Sequence, residues 1–301
     1  MRRMKVLAAA AAIIAAIAPA AAFAGKADSG MPTVGERAQA MGNAFVAVAN
    51  DASAIYWNPA GLALVKNRHA QISHTDLYGW GIDYNHVAYA DGGYGASWSH
   101  IDASDFLMGG GDWMDDLYTI AGSRQVDPQT YIGAAIKWRK QKYNPPATID
   151  SSRNSIGEIS GIGLSGDGFS VDVGLLYLVD EATTVGATIQ DLFGELRTNN
   201  TTRDVSADKL NPNISVGFSR KSDNDSLYAI QISDLGEEST VHFGIEKKLQ
   251  EEFVVRAGVD DEVVTAGLGF TRNQWQINYS FKNKSGLGLE KTQRFGAIVY
   301  F

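Results

Sequence analysis

From about His69 to the end of the chain, apolar and polar residues alternate with a period of two. The alternating segments have strand length and are separated by clusters of Gly, Asn, Asp and Ser. Fourteen can be counted. In the cleanest, Trp275, Ile277, Tyr279 and Phe281 alternate with Gln274, Gln276, Asn278 and Ser280, and Phe169, Val171, Val173, Leu175 and Tyr177 oppose Ser170, Asp172 and Gly174. One face of each segment is apolar and the other hydrated. Ahead of them, residues 35 to 64 carry a different period. Ala38, Met41, Phe45 and Val48 recur at three- and four-residue spacing and predict a helix, with a second short helix capped by Asn58 and opened by Pro59.

Alternation also describes a soluble sandwich, so the connections decide. The odd-numbered ones fall near residues 77–81, 102–116, 141–167, 191–211, 233–239, 259–262 and 283–291. The even-numbered ones fall near 91–93, 125–129, 180–182, 221–225, 248–252 and 272–273. Every long connection is odd, so long loops gather at one end and short turns at the other, the arrangement of an antiparallel transmembrane barrel with both termini on the short-turn side. Hydrocarbon offers no hydrogen-bond partner to a free sheet edge, so the sheet must close. The expected fold is all-β: a 14-stranded antiparallel transmembrane β-barrel with an N-terminal, mainly helical plug segment.

The first residues add a compartment. Met1 to Lys5 is basic, an alanine-rich run follows from Val6 to Ala22, and Ala22-Phe23-Ala24 has the form of a signal-peptidase site. Residues 1–24 are read as a signal peptide, 25–67 as the plug and 68–301 as the barrel of a single domain. Loss of Arg2, Arg3 and Lys5 takes the formal net charge from −8 to −11, which argues against a nucleic-acid partner. With no cysteine, neither a disulfide nor a thiolate metal site can hold the fold.

The string from Gly35 to Ala63, GERAQAMGNAFVAVANDASAIYWNPAGLA, resembles the N-terminal signature of the FadL/TodX superfamily of outer-membrane proteins, most of all its shorter PorV/PorQ-like members. The resemblance implies that this segment folds into the lumen as a plug. Hydrophobic compounds would enter from outside, bind within, and leave sideways through a gap where the third strand kinks inward beside the plug's Asn-Pro-Ala. Here that motif falls on Asn58, Pro59 and Ala60, the third strand on about Tyr94 to Ile101, and the glycines that would permit the kink on Gly92, Gly93 and Gly95. The less regular alternation of the first three strands, with His74, His86 and His100 among Ile72, Tyr84, Ala88 and Trp98, suggests a wall not uniformly faced by lipid. Phe295, Ala297, Val299 and the terminal Phe301 share one face and resemble the signal read by the barrel-assembly machinery.

Two departures qualify the implied activity. The loops are shorter than those of fatty-acid channels and show no apolar helical period, and the inferred inward faces are polar, with Lys137, Arg139, Asp172, His242, Glu246 and Arg256. Asp172, Glu246 and Arg256 are the candidate lumen charges, and a tight turn at 248–252 would put Arg256 opposite Gly244 and diagonal to Glu246 and His242. The expected function is passage of small hydrophobic molecules across the outer membrane of a two-membraned bacterium, with outer-membrane lipid as surroundings. The alternative is a PorV-like partner of a secreted protein. No metal, cofactor or enzymatic motif is expected: His69 and His74 fall on opposite strand faces, and the acidic loop Asp102 to Asp116 matches no EF-hand.

Overall fold

A computed structural model describes residues 31–77, 81–103, 112–144, 148–149, 158–159, 164–200, 203–235, 239–283 and 292–301. The expected signal peptide and residues 104–111 of the acidic loop lie outside the described residues. Fourteen strands form the wall. They are β1 (His69–Leu77), β2 (Ile82–Asp91), β3 (Tyr94–Asp102), β4 (Asp112–Asp127), β5 (Thr130–Asn144), β6 (Leu164–Leu178) and β7 (Thr183–Asn200), followed by β8 (Asn213–Lys221), β9 (Ser226–Ser233), β10 (Thr240–Lys248), β11 (Phe253–Asp260), β12 (Val263–Arg272), β13 (Trp275–Lys282) and β14 (Thr292–Tyr300). Each pairs antiparallel with the next, and β14 pairs back on β1 from His69↔Tyr300 to Asp76↔Gln293, so no edge remains in the wall. A hairpin of Thr148–Ile149 with Glu158–Ile159, and a strand Arg203–Lys209 on the upper half of β7, sit at the long-loop end.

The alternation read from the sequence is the alternation of the wall. Ile72, Trp98, Trp138, Phe169, Phe243, Leu268, Ile277 and Phe295 project outward and stay exposed, while Gln71, Ser99, Asp172, Gln231, Asn278 and Ser280 point inward and are buried. An apolar outside around a polar inside is the reverse of a soluble protein and suits a wall immersed in lipid. None of the described helices is long and apolar enough to cross a membrane.

Several expectations change. β4 to β7 run well past the predicted strand ends, because outward charges such as Asp116, Lys140 and Arg197 interrupt the apolar pattern without interrupting the ladder. The turn at 248–252 is wider than assumed, so Lys248 pairs with Val254 and Arg256 stands directly opposite Glu246, with Gly244 opposite Gly258. The uneven look of the first three strands has another cause. Tyr84, Ala88, Ala90 and Ile101 are inward apolar residues, required by what fills the barrel, while His74 and His100 point outward and His86 inward. On the outer face His100 stacks on Trp98, and both approach Asp116 Oδ1, the indole donating at 2.8 Å.

A charge on the outward face should therefore be costly. Leu268→Arg, on a lipid-facing position 58% exposed, is expected to lower unfolding stability in liposomes by about 2–4 kcal/mol. Equal denaturant midpoints for variant and wild type would contradict this orientation of the wall.

Candidate functional site

The barrel is filled by its own N-terminal segment. The expected first helix is reduced to α1 (Glu36–Ala40), an unexpected α2 follows (Ala54–Trp57), and the expected second short helix, capped by Asn58, is a 3-10 turn (Pro59–Leu64). Helix α1 stops because Gly42 and Asn43 both take left-handed backbone (φ 61° and 62°) and turn the chain along the wall. The wall then supplies partners that a longer helix would have supplied itself. Gly42 N–H donates to Thr265 Oγ1 (3.0 Å), Phe45 and Val46 N–H both donate to Gln231 Oε1 (2.9 and 2.8 Å), and Ala52 N–H donates to His69 Nε2 (2.9 Å). The apolar side of the segment, with Ala38, Met41, Phe45, Val48, Ile55, Trp57 and Leu62, forms a small core of its own in the barrel's centre.

The path of this segment is ordered. Glu36 touches β1 and β14, Gln39 touches β13, Ala40 touches β12, Met41 and Gly42 touch β10 and β11, Phe45 meets β9, and Val46 and Ala47 meet β7 and β8. Asn58 to Ala60 then reach β6 and β5. Close contact is possible because the wall carries glycine at many of the places where plug backbone lies against it. A side chain on Gly186 would come 2.5 Å from Val46 O, one on Gly244 2.5 Å from Met41 O, and one on Gly174 would overlap Asn58 Oδ1. Gly133, Gly258 and Gly267 do the same for Pro59–Ala60, Met41–Gly42 and Ala40. The sequence reading missed these glycines, although they fall on the polar parity of their strands, where an absent side chain was the available signal.

The Asn58, Pro59 and Ala60 motif sits at the centre of this docking. Asn58 Oδ1 accepts from Ala60 N–H (3.2 Å), and its Nδ2 donates both to Val46 O (2.9 Å) and to Leu175 O of β6 (3.0 Å), tying the 3-10 turn to plug and wall together. The third-strand kink is absent from the paired backbone. Gly92 and Gly93 form the turn before β3, with φ of 45° and 101°, and β3 pairs residue for residue with β2 and β4 along its length. Gly95 makes room for the side chain of Ile55.

The three candidate lumen charges all lie in inward-facing networks, Asp172 and Arg256 buried and Glu246 half-buried. Glu246 accepts from Arg37 of the plug (2.7 and 2.9 Å) and from Arg256 (2.7 Å), Arg37 also reaches Asp51 (3.2 Å), and Arg256 reaches Asn278 (3.0 Å). Asp172 meets Lys137 at 2.7 Å, and Lys137 also meets Asp191 at 2.6 Å. Arg139 pairs with Asp115 beside it (2.5 Å), and Asp260 with His242 (2.9 Å) and Lys282. Buried pairs of this kind add little net stability, yet removal of one partner strands the other; the pair of Arg37 with Glu246 is the one that ties the plug to the wall. Within the plug, burial pushes the Glu36 carboxyl above its ordinary value, against the opposing effects of the Ser73 hydroxyl bond and the Arg294 charge.

Three cavities of similar size divide the lumen. At the long-loop end a cavity of about 420 Å³ is lined by Ile82, Ala103, Trp113, Tyr143 and Leu164, with Gln141 and Lys142 among its polar members. It adjoins a buried apolar cluster of Met31, Leu77, Ile82, Tyr84, Ile101 and Ala103, against which Trp113 and Leu117 pack. A second, of about 400 Å³, lies over the plug and has a mixed lining, with Gln231, His242, Asp260 and Arg294 beside Met31, Trp57 and Leu77. The third, of about 410 Å³, lies at the short-turn end among Arg37, Asp51, Glu246 and Arg256. Among the described residues no group of three or more His, Cys, Asp or Glu could hold a metal ion.

Wall, plug and cavities define a closed, fourteen-stranded transmembrane barrel carrying its own plug, the architecture of FadL-type barrels. Solved structures of similar fold include the toluene transporter TbuX of Ralstonia pickettii, with 13% identity, a TM-score of 0.60, and coverage of 91% of this chain and 98% of that one. The CymD monoaromatic hydrocarbon channel has 12% identity, a TM-score of 0.62 and coverage of 89% and 97%. The toluene transporter TodX of Pseudomonas putida has 13% identity, a TM-score of 0.57 and coverage of 90% and 98%. No protein-family profile matches the chain, and a comparison with curated proteins finds no match. At these identities the likeness is one of fold.

Two outcomes follow from the docking. Gly174→Ala, whose methyl would overlap Asn58 Oδ1, is expected to cost about 1–3 kcal/mol and to raise ion conductance in planar bilayers as the plug loosens; unchanged conductance and stability would refute the close fit. Because folded Glu36 holds its proton more tightly than the unfolded chain does, its contribution to stability declines as pH rises from near 4.5 through the raised folded value. Glu36→Gln should remove that part of the slope, read as the difference in urea midpoint between the two proteins from pH 4 to 8.

Proposed function

We propose that the protein is an outer-membrane channel through which small hydrophobic molecules pass. The observation that carries this reading is the apolar, aromatic-sided cavity at the long-loop end, set over the plug. A cavity of a few hundred Å³ with apolar walls and few polar groups suits a compound of about the size of a substituted benzene. The folds it resembles include a toluene transporter and a monoaromatic hydrocarbon channel, which is the same chemistry. In this reading the long-loop end faces outward, outer-membrane lipid surrounds the belt, and the exposed Phe301 at the end of β14 is presented to the assembly machinery. The PorV/PorQ-like alternative, a barrel that partners a secreted protein, finds no support in these likenesses.

Whole-cell uptake of a radiolabelled monoaromatic hydrocarbon tests it. Trp113→Ala with Tyr143→Ala should slow uptake about tenfold, the scale of losing one to two kcal/mol of aromatic contact. Removal of residues 35–64 should instead admit polar solutes such as sugars. Uptake equal to that of cells lacking the protein would end the channel reading.

A further inference from the structure

The middle cavity, of about 400 Å³, joins aromatic surface of the plug to polar surface of the wall. Tyr56 and Trp57, with ring centroids 5.2 Å apart, line it from the plug. Met31 and Leu77 reach it from the apolar cluster that adjoins the long-loop cavity, so the two spaces share apolar side chains. The indole N–H of Trp57 already donates to Val34 O (2.8 Å), and Trp57 therefore gives the cavity ring surface only. Polar side chains of β7 to β11, β13 and β14 line the cavity as well.

Most of these polar groups are already engaged. Gln231 Oε1 accepts from Phe45 and Val46 N–H, and its Nε2 donates to Ser233 Oγ (2.8 Å). Asp260 stands between His242 (2.9 Å) and Lys282, and Arg294 donates to Thr33 O. A charged molecule would enter a space whose charges already have partners, and would give up its water without gaining a counter-ion.

Two lining groups are different. Asn43 Nδ2 donates to Asp260 Oδ2 (2.8 Å), and because a carboxylate only accepts, this contact fixes the orientation of the amide. Asn43 Oδ1 is left as an acceptor without a partner among the described residues, and so is the hydroxyl of Thr188 on β7. The two residues are 5% and 2% exposed, so each unpaired oxygen carries a cost that a partner in the cavity would recover. Two residues along β7 from Thr188, Gln190 Nε2 donates to Tyr56 O (2.8 Å), which sets the free hydroxyl close to the plug's aromatic surface. At the other oxygen only a donor is useful, since a carboxylate and Asn43 Oδ1 would both be acceptors.

We propose that the middle cavity is a binding site for neutral hydroxylated aromatic compounds of the size of a substituted phenol. The ring packs against Tyr56, Trp57 and Met31, the hydroxyl pairs with Thr188 Oγ1, and Asn43 Oδ1 turns anions away. The volume lies in the lower range of small-molecule sites, as a single substituted ring requires. The site rests on the channel reading and narrows it: the long-loop cavity admits the ring, and the middle cavity sorts by the polar group.

Three para-substituted toluenes of nearly one shape test the assignment: p-cresol with a hydroxyl, p-xylene with a methyl and p-toluate with a carboxylate. Dissociation constants are measured by calorimetry on the protein in nanodiscs, with the heat of empty nanodiscs subtracted. On the wild type, which needs no substitution, p-toluate should bind at least about tenfold more weakly than p-cresol. Thr188→Val keeps the shape and removes the hydroxyl, and should raise the ratio of the p-cresol constant to the p-xylene constant at least about tenfold. Thr188→Ser, which retains a hydroxyl, should hold that ratio within about threefold of the wild type. Heat-modifiable migration checks that both variants fold. A ratio unmoved by Thr188→Val, p-toluate binding as tightly as p-cresol, or no p-cresol heat above that of empty nanodiscs, the result for a cavity that takes water alone, overturns the site. Whole-cell uptake of p-cresol and p-xylene, run in parallel, separates the two readings. Uptake above that of cells lacking the protein with any of those results leaves the channel standing without the site. Binding as expected with no such uptake keeps the site and removes the channel.

Discussion

A backbone can lie directly against a strand only where the strand carries no bulky side chain, and elsewhere it needs a side chain of the wall to bond it; the interior of this barrel depends on that constraint. Between Glu36 and Ala47 the chain passes β14 to β7 in turn, and at most of these meetings the strand presents glycine or a short hydroxyl residue such as Ser280, Ser219 or Thr265. Those positions let buried peptide groups of the plug find partners on the strands. With them filled, plug N–H and C=O groups would lie unpaired out of reach of water, at a cost of about 1–3 kcal/mol each. The small residues of the wall and the irregular path of the plug are one design seen from two sides.

The lumen charges follow from the same arrangement. A plug that carries Arg37 and Asp51 into a narrow space requires answering charges, and Glu246 and Arg256 supply them from opposed positions on β10 and β11. Farther around, Lys137, Asp172 and Asp191 neutralise one another where β7 departs from its ladder. Polar lumen faces need not mean an open aqueous pore, because here most of that polarity is spent internally, on ion pairs and plug contacts.

Much of this was legible in the sequence. The period of two gave fourteen strands, and the gathering of long connections at one end turned their apolar faces outward, as a barrel wall in lipid requires and a sandwich does not. Asn58 and Pro59 announced the 3-10 turn through ordinary capping chemistry. The helix expected from Ala38 to Val48 ends at Ala40, because an apolar face at helical spacing serves a compact plug core equally well, and only Gly42 and Asn43 hint at the break. The pairing of Arg256 with Glu246 turned on the width of one turn. The bulge at Asp191 was illegible, because a left-handed aspartate inside a strand leaves no composition signal.

The meeting of Glu36 with Gly296 also constrains how the molecule comes into being. These residues stand near opposite ends of the polypeptide, as do Thr33 and Arg294, yet each pair is in contact. Such meetings must wait for synthesis and export of the last strand, and a fold whose decisive encounters span nearly its whole length has high contact order and forms slowly. Until that moment the glycine-lined staves face an incomplete hollow, so the early-arriving N-terminal stretch spends the longest interval exposed, a period in which shielding by helper proteins has the most to contribute.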